Sequence, residues 1–231
     1  MYSPTYADLK SFLEKELDLE DETFITPEEF QYYFNEAVDM IEAACHTIYE
    51  DYFLTSATIS LVNGTSAYAL PSDIYAQKIR AVLYNDGEAK KYNIKRFRKL
   101  DDTLFVQTPD AYRYLLTNDS TNGNRMVFYP TPAETNTYIT IWYIRNAKRF
   151  TADSDVCDIP EFTNVLVQFV RWKCLSKEGH PDAQQAATDL DRMRQEMVET
   201  LTARVPDEDN TVIKDFSFYD DFDGIEYGGY I

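Results

Sequence analysis

The spacing of the apolar residues changes twice along the chain. Near the N-terminus, and again after residue 158, apolar residues recur every three or four positions, as they do on the buried face of a helix. Between these regions they alternate with polar residues, as in half-buried strands. Terminal helices that flank a run of strands pack most simply against each other. The order predicts an α+β fold: a bundle of N- and C-terminal helices, an inserted, mostly antiparallel β-domain and an extended C-terminal tail.

Two patterns near the N-terminus predict helix starts. Thr5 with Asp8, and Thr26 with Glu29 after Pro27, have the spacing of a capping box. The helices that follow should bury one apolar stripe each, and we expect Glu42 to lie outside the second stripe with most of the other acids. The first stripe is Leu9, Phe12, Leu13 and Leu17, and the second is Phe30, Tyr33, Phe34, Ala37, Ile41, Ala44 and Ile48.

Two further helices are predicted after residue 157. Asp158 and Pro160 indicate the start of a third helix, which should end near Gly179. Asp182 is expected to cap a fourth helix that ends before Pro206. The buried stripe of this last helix should be Ala186, Leu190, Met193, Met197 and Leu201.

The middle of the chain predicts about six short strands. Asn63-Gly64 suggests a hairpin turn after the first strand, and residues 85–87 suggest a second hairpin between Lys78–Tyr84 and Tyr92–Ile94. Later strands are expected at 112–116, 125–129 and 137–145, with an exposed loop between Leu116 and Arg125. We therefore divide the chain into a helical bundle (1–53 and 158–206), a β-domain (54–157) and an acidic aromatic tail (207–231).

Charge is concentrated at the two ends of the chain. The net charge is −18; residues 1–57 hold 14 acids and 2 bases (−12), residues 207–231 hold 8 acids and 1 base (−7), and the middle is close to neutral. Duplex DNA binding depends on Lys and Arg that displace counterions. A dedicated DNA-binding role is therefore disfavoured.

The residues that usually carry catalysis do not form a known pattern. Cys45, Cys157 and Cys174 lack metal-binding spacing and are expected to be buried thiols, and His180 lies in a predicted turn. The sequence has no nucleophile-elbow, zinc-protease or phosphate-loop motif. We predict no catalytic site, no metal site and no cofactor, and we expect neither a membrane span nor a secretory signal.

Two segments are candidates for contact with other proteins. A basic cluster is interleaved with aromatic residues and could meet an acidic surface of a neighbouring subunit, a phosphate backbone or only solvent. The tail combines acids with aromatic rings, which suits folding onto a partner, although docking on its own domain is the alternative. The cluster is Lys90, Lys91, Lys95, Arg96, Arg98 and Lys99; the tail rings are Phe216, Phe218, Tyr219, Phe222, Tyr227 and Tyr230.

Several phrases in combination resemble the head-to-tail adaptor, or connector, proteins of tailed bacteriophages, also called tail tubular or gatekeeper-like ring proteins. The most specific phrase reads G-T-x-x-Y-x-L-P-x-D over residues 64–73, and the second is Y-P-T-P over residues 129–132. Supporting phrases are Tyr6-Ala7-Asp8-Leu9, Asn35-Glu36-Ala37 and Asp158-Ile159-Pro160-Glu161-Phe162. The resemblance covers about residues 1–204.

The resemblance implies a structural virion protein at the head-tail junction, assembled in the bacterial cytoplasm. Such proteins form a homo-oligomeric ring of about twelve subunits that binds the portal protein and further tail or ring proteins. DNA passes through the ring without specific binding, and no catalysis is implied. The long aromatic tail and the strongly acidic first helices depart from the family pattern.

Two other classes stay open from the residues alone. A tail-associated β-module that binds host glycans would use the many aromatic residues, but it would leave the terminal helices unexplained. A hydrolase with a carboxylate pair is permitted by the number of acids, although sequence alone cannot place two carboxylates on either side of a sugar.

Overall fold

A computed structural model describes residues 3–18, 24–85, 91–97, 112–119, 121, 123–133 and 137–204, with the backbone alone at 91 and 119. The described residues form four α-helices and two mostly antiparallel four-stranded sheets, which confirms the predicted α+β class. Within these ranges no helix is both long and apolar enough to span a membrane.

The predicted helices are all present. They are α1 (Tyr6–Glu16), α2 (Pro27–Ile48), α3 (Thr163–Glu178) and α4 (Ala183–Thr202). Both capping boxes form. The Thr5 and Thr26 side chains accept the backbone N–H of Asp8 and Glu29, and the carboxylates of these acids accept the backbone N–H of the threonines. Gly179 ends α3 at φ 68°, in the left-handed region that glycine adopts without a Cβ clash.

Two predicted helix caps are wrong. A 3-10 turn over Pro160–Phe162 precedes α3, and Asp158 binds the Arg145 guanidinium instead of a helix N-terminus. Asp182 occupies the N-cap position of α4, but its side chain makes no capping hydrogen bond. Both aspartates mark the helix starts, yet the capping chemistry assigned to them does not form.

The four helices share one hydrophobic cluster, as expected for a bundle. Its fully buried members include Leu13, Phe34, Ile41, Leu166 and Leu201. The predicted stripes supply most of it, but Phe12 is 56% exposed and Glu42, expected on the outside, is only 7% exposed. Glu42 is buried because it binds Ala147 and Arg149, which lie more than 100 positions further along the chain.

The strands form two sheets that share a second hydrophobic cluster. The first sheet has the order β1 (Leu54–Ser60), β8 (Tyr138–Arg145), β3 (Ile74–Asn85), β4 (Lys91–Asn93). The second has the order β2 (Ala67–Ala69), β7 (Gly123–Tyr129), β6 (Arg113–Asp119), β5 (Lys95–Arg96), and β5 pairs with β6 in parallel. Buried residues from both sheets meet between them: Tyr68, Val82, Tyr114, Met126, Phe128, Ile139 and Ile141.

One predicted hairpin is present and one is wrong. β3 and β4 pair with Asn85 opposite Lys91, as expected. The Asn63-Gly64 turn does form, with Gly64 at φ 77°, but it connects β1 of the first sheet to β2 of the second. β1 pairs with β8 instead, about 85 residues away in sequence, a choice that local turn chemistry cannot reveal.

The expected loop between Leu116 and Arg125 is also wrong. β6 continues to Asp119 and pairs with β7, which begins at Gly123. The pairing is carried by backbone hydrogen bonds, so the polar side chains of this segment do not prevent it.

A bulge in β3 links the two sheets. Ala76 and Gln77 lie in the left-handed region, at φ 46° and 56°. The Gln77 amide then donates to the Asn124 side-chain oxygen in β7 at 2.6 Å. The division of the chain at residues 53, 157 and 206 stays a prediction, and Ile144, Ala147 and Phe150 of the central segment lie in the helical cluster.

Candidate functional site

The helical bundle is attached to the end of β8 by a buried carboxylate. Glu42 of α2 accepts the Ala147 N–H at 2.7 Å and the Arg149 guanidinium at 2.5 Å. The Glu42 side chain is 9% exposed. One turn further along the same helix, the Nε2 atom of His46 lies 3.4 Å from Glu42 Oε1. Burial of this acid is stabilised because its oxygens are hydrogen-bonded on several sides.

Asp158 holds the other side of the same connection. Its carboxylate receives two hydrogen bonds from the Arg145 guanidinium, at 2.5 and 2.9 Å, and one from the Lys148 N–H at 3.0 Å. Burial alone would raise the pKa of Asp158, but these donors outweigh it and lower the pKa below its ordinary value. The Arg145 guanidinium also lies over the Phe53 ring, 5.3 Å from its centroid.

The G-T-x-x-Y-x-L-P-x-D phrase builds the crossing between the two sheets. The Tyr68 hydroxyl accepts the Val62 N–H at 2.8 Å and donates to the Thr65 carbonyl at 2.9 Å, which closes the turn around Gly64. The Tyr68 ring packs on Phe128 in β7. Within this phrase, the tyrosine therefore fixes where the chain leaves one sheet for the other.

The end of the same phrase is anchored to β8. The Tyr143 hydroxyl donates to Asp73 at 2.9 Å, and the Asn146 N–H donates to the Asp73 carbonyl at 2.7 Å. Burial, and then this hydrogen bond to a carboxylate, raise the pKa of Tyr143 to about 12. The phrase thus has a structural role in the fold.

The predicted basic cluster falls partly inside the described residues. Lys95 and Arg96 form β5, both are exposed, and Lys95 lies opposite Arg113 of β6 in the parallel pair. Arg113 was not part of the predicted cluster, because its place beside Lys95 depends on the sheet order. Of the other members, Lys90, Arg98 and Lys99 lie outside the described residues, as does the side chain of Lys91.

The charges of this edge and those of the bundle have different neighbours. No ion pair of Lys95, Arg96 or Arg113 is found within the described ranges; Lys95 lies opposite Arg113, and Arg96 lies opposite Tyr114. In the bundle, by contrast, Lys173 pairs with Glu36 and Arg171 with Glu16, each at 2.8 Å. The β5 and β6 edge, named here the basic edge (Lys95, Arg96 and Arg113), presents exposed bases that suit contact with an acidic surface.

The tail residues proposed to contact a partner all lie outside the described residues: Phe216, Phe218, Tyr219, Phe222, Tyr227 and Tyr230. The described surface does offer an apolar groove between α1, α3 and α4, with a volume of about 680 Å³. The exposed Phe12 lines it together with Leu9, Val167 and Met193. Sequence periodicity assigned Phe12 to the buried stripe, so it could not identify this groove.

The two acids that line this groove, Asp8 and Glu16, both bind partners within the chain. Asp8 completes the capping box of α1, and Glu16 pairs with Arg171. Across the residues that the structure describes, no group of three or more His, Cys, Asp or Glu side chains could hold a metal ion. Cys45, Cys157 and Cys174 are buried, as expected, and burial raises the pKa of Cys45 and of Cys174 to about 12.

A comparison with protein families matches the family described as SU10 adaptor protein over residues 4–212, about nine-tenths of the chain. A comparison with curated proteins found no match. The matched family has a structural adaptor role and is not an enzyme class. Its members are virion components that interact with phage portal and tail proteins. Together with the α+β architecture, the match shows that this chain belongs to the SU10 adaptor protein family, a family of phage head-to-tail adaptors.

Proposed function

We propose that the protein forms a closed ring that joins the portal to the tail of the virion and continues the DNA channel, with assembly in the bacterial cytoplasm. The observation that carries this proposal is the family match over residues 4–212. The fold agrees with it, because a bundle and two sheets offer separate surfaces to portal, neighbour and tail. The ring, its copy number of about twelve and the channel are parts of the proposal.

The charges give a way for neighbouring subunits to associate. We infer that the basic edge faces an acidic surface of the next subunit, and that Lys90, Lys91, Arg98 and Lys99 extend the same cluster. Lys95, Arg96 and Arg113 are exposed, whereas acids exceed bases by 12 in residues 1–57. Two different surfaces of one chain would then meet, as a cyclic assembly requires.

The same excess of acid suits a channel for DNA. A wall with net negative charge repels the phosphate backbone and does not hold the passing duplex. We infer that DNA moves through the ring without specific binding. The tail rings of residues 216–230 are proposed to insert into a neighbouring or partner chain, where pockets shield them from water.

The aromatic residues of the sheets support this reading over a glycan-binding module. Tyr68, Tyr84, Tyr114, Phe128 and Tyr143 are each at most 8% exposed. Rings that pack in the core cannot stack on a sugar. The aromatic content that made glycan binding conceivable is therefore used largely for packing between the sheets.

Native mass spectrometry and electron microscopy of the full chain, alone and mixed with its portal protein, test the ring. We expect a closed oligomer in at least one of the two samples, seated on the portal when both are present. A strict monomer that also fails to bind portal at any salt concentration would contradict the proposal.

A charge-reversal arm tests the role of the basic edge in the same experiment. Changing Lys95 and Arg96 to Glu should weaken association between subunits, most strongly at low salt. The matched control changes Arg192 and Arg194 to Glu; these are exposed bases of α4 that pair with acids on their own helix. If both double variants weaken the ring equally, only net charge matters and the basic edge has no specific role.

A further inference from the structure

β1 is an edge strand with few of the features that usually protect an edge. It pairs with β8 on one side, and no other described strand pairs with it on the other. Alternate residues Leu54, Ser56, Thr58 and Ser60 are exposed. Its seven residues, Leu-Thr-Ser-Ala-Thr-Ile-Ser, include no charge and no proline. An edge of this kind presents unpaired backbone groups to an incoming strand.

The other three sheet edges differ from it. β2 and β4 are three residues long, and β5 is two residues long and wholly basic. Short strands and charged side chains are the usual ways in which proteins prevent unwanted pairing at an edge. The contrast singles out β1 as the edge at which another strand can add.

Two rows of the sheet face beside β1 consist of uncharged residues. In antiparallel pairs, opposite residues share a face, so Ser56, Trp142 and Ala81 form one row, and Thr58, Thr140 and Leu83 form the next. Trp142 is 39% exposed, as is Leu54 at the start of β1. In a chain with a net charge of −18, these rows offer apolar contacts to a strand that carries aromatic side chains.

The C-terminal end of α4 lies close to the beginning of β1. Arg204 pairs with Glu161 at 2.6 Å, and Phe162 packs on Tyr52, with ring centroids 6.2 Å apart. Tyr52 lies in the 3-10 turn Glu50–Phe53, which leads directly into Leu54. Arg204, the last described residue of the chain, therefore lies near the turn that precedes β1.

Those 27 residues include one stretch with the composition of a strand. Residues 211–219 read Thr-Val-Ile-Lys-Asp-Phe-Ser-Phe-Tyr and are rich in β-branched and aromatic types. Positions 212, 214, 216 and 218 share one face in an extended chain, which places Phe216 and Phe218 together. The six residues 205–210 can span up to about 20 Å.

We propose that residues 211–219 of one subunit add as a strand to the outer edge of β1 in a neighbouring subunit, with Phe216 and Phe218 over the Trp142 face. This inference rests on the proposed ring and names the contact that closes it. Donor segment and acceptor edge are different surfaces of the same chain, so the contact repeats from subunit to subunit. Pairing of β1 with another β1 would instead stop at a dimer.

Cross-linking between two full-length single variants tests the contact. One carries Thr58→Cys on β1 and the other carries Lys214→Cys, on the face shared with Phe216. The three native cysteines are at most 3% exposed, so a short bismaleimide should react mainly at the new thiols. After mixing and assembly, we expect a covalent dimer of the two variants. The matched control, Ala69→Cys on the exposed edge of β2, should give none with Lys214→Cys.

The oligomer mass is measured on the same samples, so that the contact and the ring can fail separately. A ring that forms without the Thr58 to Lys214 cross-link would overturn the strand contact and leave the proposed function intact. A double variant that cross-links only within single chains would show that the tail pairs with its own β1, which also overturns it. Absence of any ring with portal present would contradict both proposals.

A second variant tests the edge without cross-linking. Thr58→Lys places a charge on the exposed edge and should reduce association at least tenfold, whereas Ala69→Lys on β2 should leave it unchanged. Thr58 is an exposed side chain, so neither fold nor core is altered. If both lysine variants associate as strongly as the unmodified chain does, the proposal is contradicted.

Discussion

The helical bundle and the second sheet are joined to the first sheet by different chemistry. The bundle is attached through charged groups, with Glu42 bound to Arg149 and Asp158 bound to Arg145. The second sheet is attached through apolar packing and neutral hydrogen bonds, such as that from Gln77 to Asn124. Within the described residues, no ion pair connects the second sheet to the first.

The difference matters for how each connection responds to its surroundings. A buried charge that loses its partner destabilises the folded state, and the contribution of an ion pair to stability changes with pH. A neutral hydrogen bond between buried groups contributes less, and no titration weakens it near neutral pH. The contact between the bundle and β8 should therefore weaken under acid or after a single charge deletion, whereas the connection between the sheets should depend mainly on packing.

The largest expected effect is at Glu42. Glu42→Ala removes the acceptor of the Ala147 N–H and the more buried of the two acids around Arg149, and should lower the unfolding free energy by about 2–3 kcal/mol. Urea unfolding measures it. The matched control is Glu36→Ala on the same helix, where the half-exposed pair with Lys173 should cost less than about 1 kcal/mol. Equal losses would show that Glu42 acts only as a surface charge.

This residue also shows what the sequence can and cannot predict about the fold. Helix starts at Thr5 and Thr26 follow from local hydrogen-bonding patterns, and the structure confirms them. The burial of Glu42 depends on Arg149, which lies 107 positions further along the chain. The local spacing of apolar residues carries no information about a partner so distant in sequence. The same reason explains why β1 pairs with β8 rather than in the expected hairpin.

The candidate surfaces divide in the same way. The sequence alone identifies Lys95 and Arg96 as part of a basic cluster, because the basic residues lie close together along the chain. Arg113 joins them only through the parallel pairing of β5 with β6. The uncharged edge of β1 likewise needs the sheet order, since a stretch of Ser, Thr and Ala has no feature that marks it as an edge.

The next largest effect should come from the crossing between the sheets. Tyr68→Phe keeps the packed ring but leaves the Val62 N–H and the Thr65 carbonyl without the hydroxyl, and should cost about 1–2 kcal/mol. The control is Tyr32→Phe, at a ring that is 66% exposed, where little change is expected. Unfolding measured at pH 7 and pH 5 should give the same cost for Tyr68→Phe. A cost that grows toward pH 5 would break the distinction between charged and neutral connections.

The smallest effect concerns protonation in the charged connection. His46 is 8% exposed and stacks on Tyr75, with centroids 3.7 Å apart. Burial lowers the pKa of His46; Glu42 acts in the opposite direction, Lys78 adds to the lowering, and Glu50 opposes it. The balance keeps the folded imidazole neutral at a pH where the unfolded chain already binds a proton.

Stability should therefore fall as the pH drops below about 6.5, the ordinary pKa of histidine, because the unfolded state then takes up the proton first. For one proton the loss cannot exceed about 1.4 kcal/mol per pH unit. His46→Gln should remove this slope between pH 7 and pH 5, a window above the titration of carboxylates whose pKa is lowered, such as Asp158. His180→Gln, at the exposed second histidine, should leave the slope unchanged. If both variants keep the slope of the unmodified chain, the acid sensitivity arises outside the contact between α2 and β8, and the charged connection is not the part of the molecule that acid weakens first.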